Sequence, residues 1–221
     1  LEATNNINLL PTVTQRISSN LQWKNKSFYF DVYAKNNPSY YAISYKAPDT
    51  VATLSPVNFE KETGFYIGVT LPFSHKIWTS TTSVSLNYTK IKDSAAVLAK
   101  AKPYFYAYTE QQLKVANDTV VSLGGWMVTQ RNEGIYTRNA MVVLNASVTK
   151  TFFEKLQCAI RLNDITKAMN FEESYSVNGV EANGTFFVDA REIAFAVKYK
   201  FGDQISKFKN KDVDENLDRI N

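Results

Sequence analysis

From Arg191 the chain reads REIAFAVKYKF, and its side chains divide by parity. Ile193, Phe195, Val197, Tyr199 and Phe201 fall on one face, and Glu192, Ala194, Ala196, Lys198 and Lys200 on the other. A strand points successive side chains to opposite sides, so this segment is a strand with one greasy face and one wet face. The period recurs along the chain. Trp78, Val84, Leu86 and Tyr88 oppose Thr79, Thr81, Ser83, Ser85, Asn87 and Thr89. Leu156, Cys158, Ile160 and Leu162 alternate with Gln157, Arg161 and Asn163, and Ala140 to Val148 follows the same rule in part. Phe28, Phe30 and Val32 form a further set, as do Phe65, Ile67, Val69 and Leu71. Val13 to Trp23, Tyr104 to Val115 and Thr119 to Gln130 read as strands less cleanly, which gives nine strands in all.

Many of these segments are about ten residues long, the length of a tilted bilayer-crossing strand rather than the five or six usual in soluble domains. Short turns are read at Asn25-Lys26, Pro72 to Lys76, Ala116 to Asp118 and Lys150 to Lys155. Longer polar connections lie between them at 34–62, 92–102, 131–139 and 164–190, the second with an Ala-rich stretch that could carry one helical turn. Short turns at one end and long loops at the other are the pattern of an outer-membrane barrel with its turns in the periplasm.

Composition narrows the choice. A chain of 221 residues suits one domain or two, and one cysteine excludes a disulfide framework. The longest apolar runs are five residues, such as Ala140 to Leu144, so no segment crosses a bilayer as a helix. The 25 basic and 21 acidic residues are mixed along the chain, which argues against nucleic acid as a partner. The expected fold class is therefore all-β, an antiparallel transmembrane barrel spanning residues 1–201. Residues 202–221 read as a charged periplasmic tail without a core.

The ending Arg191 to Gly202, REIAFAVKYKFG, with a tail closing on Asp218-Arg219-Ile220, resembles the C-terminus of the TonB-dependent-receptor-like outer-membrane β-barrel proteins of Bacteroidetes. Lys150 to Ile165 resembles the penultimate hairpin of those barrels, and Gly64 to Ile91 an earlier one. The resemblance implies an outer-membrane location, contact with lipid, and import of a nutrient such as an oligosaccharide, peptide or metal chelate. It implies as partners a plug domain, the remainder of the barrel, the TonB system and a surface lipoprotein. Nine strands with a periplasmic C-terminus put the start of the first strand outside the cell, so the expectation is the C-terminal part of a larger barrel. A structural or scaffold barrel in a surface or secretion complex, and a soluble carbohydrate-binding β-sandwich, stand beside that reading.

The residues offer walls rather than catalysis, and no enzyme, cofactor or metal site is expected. His75 sits alone in a turn without the convergent partners of a triad or zinc site. Cys158 reads as a packed or lipid-facing residue. Asp212 to Asp218 lacks the glycine of a calcium loop. The sequons at Asn25, Asn87, Asn117, Asn145 and Asn183 arise by chance in an Asn- and Thr-rich chain. Gly124-Gly125 marks a bulge or a close approach. The lumenal binding candidates are Tyr104, Tyr106, Tyr108, Glu110 and Gln112, one polar row continued by Lys114, suited to a sugar, a peptide or a plug. Trp23, Trp78, Tyr88, Tyr199 and Phe201 read as an interfacial girdle. Phe201, the last strand residue, is also the candidate assembly signal that the resemblance implies.

Overall fold

The computed structural model describes residues 2–3, 5–45, 52–94, 96, 98, 100–177 and 179–201. The described residues contain strands and no helix. In chain order the strands are β1 (Glu2–Ala3), β2 (Val13–Trp23), β3 (Lys26–Asn36), β4 (Ser39–Tyr45), β5 (Ala52–Asn58), β6 (Lys61–His75), β7 (Trp78–Lys92) and β8 (Tyr104–Ala116). There follow β9 (Thr119–Val128), β10 (Arg131–Glu133), β11 (Tyr136–Arg138), β12 (Met141–Phe152), β13 (Leu156–Asn163), β14 (Phe171–Val177), β15 (Val180–Phe186) and β16 (Glu192–Tyr199).

Nine of them form one sheet in the order β16-β13-β12-β9-β8-β7-β6-β3-β2, with every neighbouring pair antiparallel. All nine strands read from the alternation are present. The sheet does not close on itself: β2 and β16 are its edges. Register puts the two faces where parity places them. Leu162, Ile160 and Cys158 stand opposite Ile193, Phe195 and Val197 on the outer side, while Arg161 and Gln157 stand opposite Ala194 and Lys198 on the polar side. The outer side is openly apolar: Ile193, Phe195 and Val197 are 79%, 68% and 57% exposed. In water such a surface would cost about 25 cal/mol for each Å² left unburied, whereas hydrocarbon solvates it.

The turns are tighter than the sequence suggests, at 24–25, 76–77, 117–118 and 153–155. Pro72 to His75, read as part of a turn, extends β6 instead. Pairing of β3 with β6 ends at Ser27 and Thr70, so Pro72 sits where β7 is the remaining neighbour, and such edge positions tolerate a residue without an N–H. Lys150 to Phe152 likewise extend β12. No bulge occurs at Gly124-Gly125, which pair one-to-one on both sides. The close approach does occur there: a Cβ on Gly125 would lie 2.2 Å from the Val143 carbonyl oxygen. The one register shift along β8 and β9 falls at Lys114 and Ala116.

The long connections differ most from the sequence reading. Those at 34–62, 131–139 and 164–190 contain strands, which form a four-stranded sheet (β10-β11-β14-β15) and, with the N-terminal β1 added in parallel to β5, a three-stranded one (β1-β5-β4). They share the molecule's main buried cluster, Ala42, Phe59, Ile135, Tyr175 and Val177, with Tyr40, Ile43, Val57 and Tyr136 packed around it. The core therefore lies in a cap at the loop end, while the large sheet turns its apolar side chains outward. The Ala-rich connection contributes Ala96 and Leu98 to this cluster, and its described residues are not helical; residues 95, 97 and 99 lie outside the described set, as does the tail at 202–221.

Candidate lumenal site and its cap

Tyr104, Tyr106, Tyr108, Glu110 and Gln112 occupy alternate positions of β8 and share the polar face. Their partners on β7 are Asn87, Ser85, Ser83, Thr81 and Thr79, all polar. On the other side, Tyr106, Tyr108, Glu110 and Gln112 face Val128, Trp126, Gly124 and Ser122 of β9. Glu110 ties the lower half of the row together: Tyr108 Oη donates to Oε2 at 3.0 Å and Gln112 Nε2 to Oε1 at 2.7 Å. Tyr106 lies near-parallel to Trp126, with centroids 6.2 Å apart and an interplanar angle of 26°.

The row is shared between two hollows. Tyr104, Tyr106 and Trp126, with Tyr66, Asn87, Arg131 and Glu133, line a cavity of about 330 Å³ beside the cap. Tyr108 and Glu110, with Asn145, Arg161 and Asn163, line a second of about 200 Å³. Gln112 lies outside both, exposed nearer the turn end. Such a surface can stack flat faces and exchange hydrogen bonds with polar edges.

Sequence reasoning missed the group that fastens the cap. Glu62, on the polar face of β6, is 1% exposed. Its Oε1 accepts from Tyr33 Oη at 2.9 Å and from Lys35 Nζ at 2.8 Å, and its Oε2 accepts from Tyr40 Oη. Tyr33 also bonds Thr89 at 3.0 Å, and its ring lies over Gly64, where a Cβ would meet it at 2.6 Å. A buried carboxylate is costly unless paired and hydrogen-bonded, and Lys35 and two phenols meet that need. Tyr40 belongs to the cap. Burial, and after it the bond to Glu62, pushes its phenol well above the ordinary tyrosine value. Its ring fills the space beside Gly134, where φ is +63° and a Cβ would come within 2.3 Å. The signal was faint: Glu62 and Lys35 are charged residues at polar-face parity, but only the register β3–β6 makes them partners.

A chain of alternating charges continues upward from the first cavity. Arg131 Nε bonds Glu133 at 2.5 Å, Glu133 accepts from Arg138, and Arg138 Nε bonds Glu173 at 2.6 Å. At the wall's other end Asp31 accepts from Arg16 at 2.7 Å and Ser18 at 2.9 Å.

The remaining candidates stay apart from the row. His75 ends β6 beside Phe73, with ring centroids 6.4 Å apart. Cys158 is half-buried on the outer face of β13, opposite Val197. Among the described residues no group of three or more His, Cys, Asp or Glu could hold a metal ion. Phe201 follows β16, is 83% exposed, and meets Tyr199 edge-on at 4.6 Å. Of the girdle candidates, Trp23 and Trp78 stand at the turn end with Tyr199 and Phe201. Tyr88 lies at the loop end, stacked on Phe65 at 5.7 Å.

The profile of the outer membrane protein β-barrel family matches residues 3–199. No curated protein and no solved structure matches the chain.

Proposed function

Because the chain belongs to the outer membrane protein β-barrel family and so resides in the outer membrane among its lipids, we propose that it forms part of the wall of a transport barrel there. The barrel is a TonB-dependent-receptor-like importer of a nutrient such as an oligosaccharide, a peptide or a metal chelate. The observation that carries this reading is the polar row of β8, whose residues Tyr104, Tyr106, Tyr108 and Glu110 line two hollows on the polar face. The two edges of the sheet support a larger barrel. In hydrocarbon, unpaired backbone N–H and C=O groups are too costly to leave open, so β2 and β16 need further strands beside them. On this reading residues 1–201 are a portion of that barrel and 202–221 a periplasmic tail. A plug domain fills the lumen, and the TonB system and a surface lipoprotein act with it. Phe201 serves as the residue the insertion machinery reads.

The cap favours a second reading, a scaffold barrel in a surface complex, because it has a core of its own and exposes Tyr41 and Phe187. Growth on single oligosaccharides, peptides or metal chelates as the limiting nutrient separates the two. The importer reading expects loss of growth on one class when the gene is deleted, and at least partial loss with Tyr106→Ala plus Glu110→Ala. Unchanged growth on every class would overturn it in favour of the scaffold.

A further inference from the structure

The turn end of the sheet is chemically unlike the loop end. At the loop end opposite charges pair with one another, as in the chain from Arg131 to Glu173. The four turns, with three strand residues on either side of each, hold six lysines against two acids, Asp118 and Glu154. Of these lysines Lys114 points to the polar face with the tyrosine row. Lys24 and Lys76 lie in turns and are exposed. Lys26 pairs with Trp23 across β2 and β3, and Lys150 stands between Val148 and Phe152 on the outer face of β12.

Three of these lysines, Lys24, Lys26 and Lys150, are set into the aromatic border of the apolar face. Lys24 and Lys26 place Nζ 5.2 and 5.5 Å from the Trp23 ring centroid, and Lys150 lies 5.3 Å from that of Phe152. Trp23, Trp78 and Phe152 are themselves 55%, 42% and 37% exposed toward the lipid side. Lysine ammonium groups held over aromatic rings at the border of an apolar face lie at the level where a headgroup layer meets that face. Asp118 is 3.6 Å from Lys150, with both side chains nearly half exposed, so it offsets the positive charge only weakly.

We propose that this rim binds the headgroups of acidic phospholipid in the leaflet at the turn end of the barrel. Continuity with the lipid-facing band selects a membrane over a soluble anion, because Lys26 and Lys150 project from the same face as Trp23 and Phe152. The excess of lysine selects an acidic headgroup over a zwitterionic one. The site needs no transport activity and holds for importer and scaffold alike.

The test is lipid selectivity of the whole protein reconstituted into phosphatidylcholine bilayers containing a trace of spin-labelled phosphatidylglycerol or spin-labelled phosphatidylcholine. A lysine close to an acidic surface is worth about fivefold in partitioning. The motionally restricted population should therefore favour phosphatidylglycerol by about fivefold or more, and 0.5 M salt (roughly a 4 Å screening length) should reduce that preference strongly. Lys24→Gln/Lys26→Gln/Lys76→Gln/Lys150→Gln should abolish it, whereas the loop-end pair Lys61→Gln/Lys92→Gln should leave it intact. Should the quadruple variant fail to fold, the salt response and the loop-end pair decide. Equal association of the two lipids, or a preference surviving either the quadruple variant or salt, overturns the proposal. So does binding of an acidic peptide by a protein that shows no lipid preference, since the rim would then face a protein partner.

Discussion

Tyr40 of the cap donates a hydrogen bond from its phenol to Glu62 of the wall, and this bond joins the loop-end core to the polar face of the large sheet. It spans 22 residues of sequence and two different sheets. Tyr40→Phe keeps the ring in its place but leaves Oε2 of a 1%-exposed carboxylate without that donor. The expected loss is about 1–3 kcal/mol, the cost of an unsatisfied buried acceptor. Glu62→Ala takes the acceptor from Lys35 and from the Tyr40 phenol, with Tyr33 keeping Thr89, and should cost more, about 3–5 kcal/mol. Urea titration of the folded protein in detergent measures both, and hydrogen exchange should show the first loss confined to residues 34–62.

Gly134 is the second point of cap fit. Its φ of +63° and the Tyr40 ring 2.3 Å from any added Cβ leave no room for a side chain. Gly134→Ala should cost about 1–3 kcal/mol through backbone strain and displacement of Tyr40. Limited proteolysis should cut the cap near residues 131–139 sooner, with the large sheet still protected.

At the cap's edge Glu60 accepts from both the hydroxyl and the backbone N–H of Ser94, and these bonds hold its carboxyl below the ordinary value of 4.5. A lowered folded-state value adds stability above the ordinary one, and that contribution is lost as pH falls through the held value. Exchange protection at the Ser94 amide should therefore be retained at neutral pH and fall on acidification below about pH 4.5. Ser94→Ala should weaken that dependence, and an unchanged acid response in the variant would contradict the assignment.

Parity carried the large sheet in the sequence. Ile193, Phe195 and Val197 announce both strand and face because lipid demands an apolar residue at every second position. The cap obeys no such rule. Ser39–Tyr45 reads SYYAISY, where Tyr41 is 56% exposed and Ala42 buried, so hydrophobicity does not separate the inward residue from the outward one. The tyrosine row of β8 was legible for the same reason as the strands. Glu62 was not, since its partners Tyr33, Lys35 and Tyr40 converge only once register and loop fold are set. The turn at Pro72 was misplaced because a proline normally ends a strand, and here β3 had already withdrawn from one side of it.

The face assignment makes an energetic prediction. Val197→Arg and Leu144→Arg put a charge on the outer face, where a position near the bilayer midplane costs about 2–4 kcal/mol and one nearer the interface about 0–1 kcal/mol. Lys198→Gln, on the polar face opposite Gln157, should be near neutral. Unfolding titrations from phospholipid bilayers compare the three directly.

The most direct test of the barrel-wall account is chemical accessibility along β16 in the outer membrane. In a Cys158→Ser background, single cysteines replace residues 193 to 198 in turn and are exposed to a water-soluble maleimide. The account predicts alternation: cysteines at 194, 196 and 198 label from the aqueous side, while those at 193, 195 and 197 stay protected and react only with a lipid-soluble reagent. Uniform labelling at all six positions would contradict a lipid-facing wall.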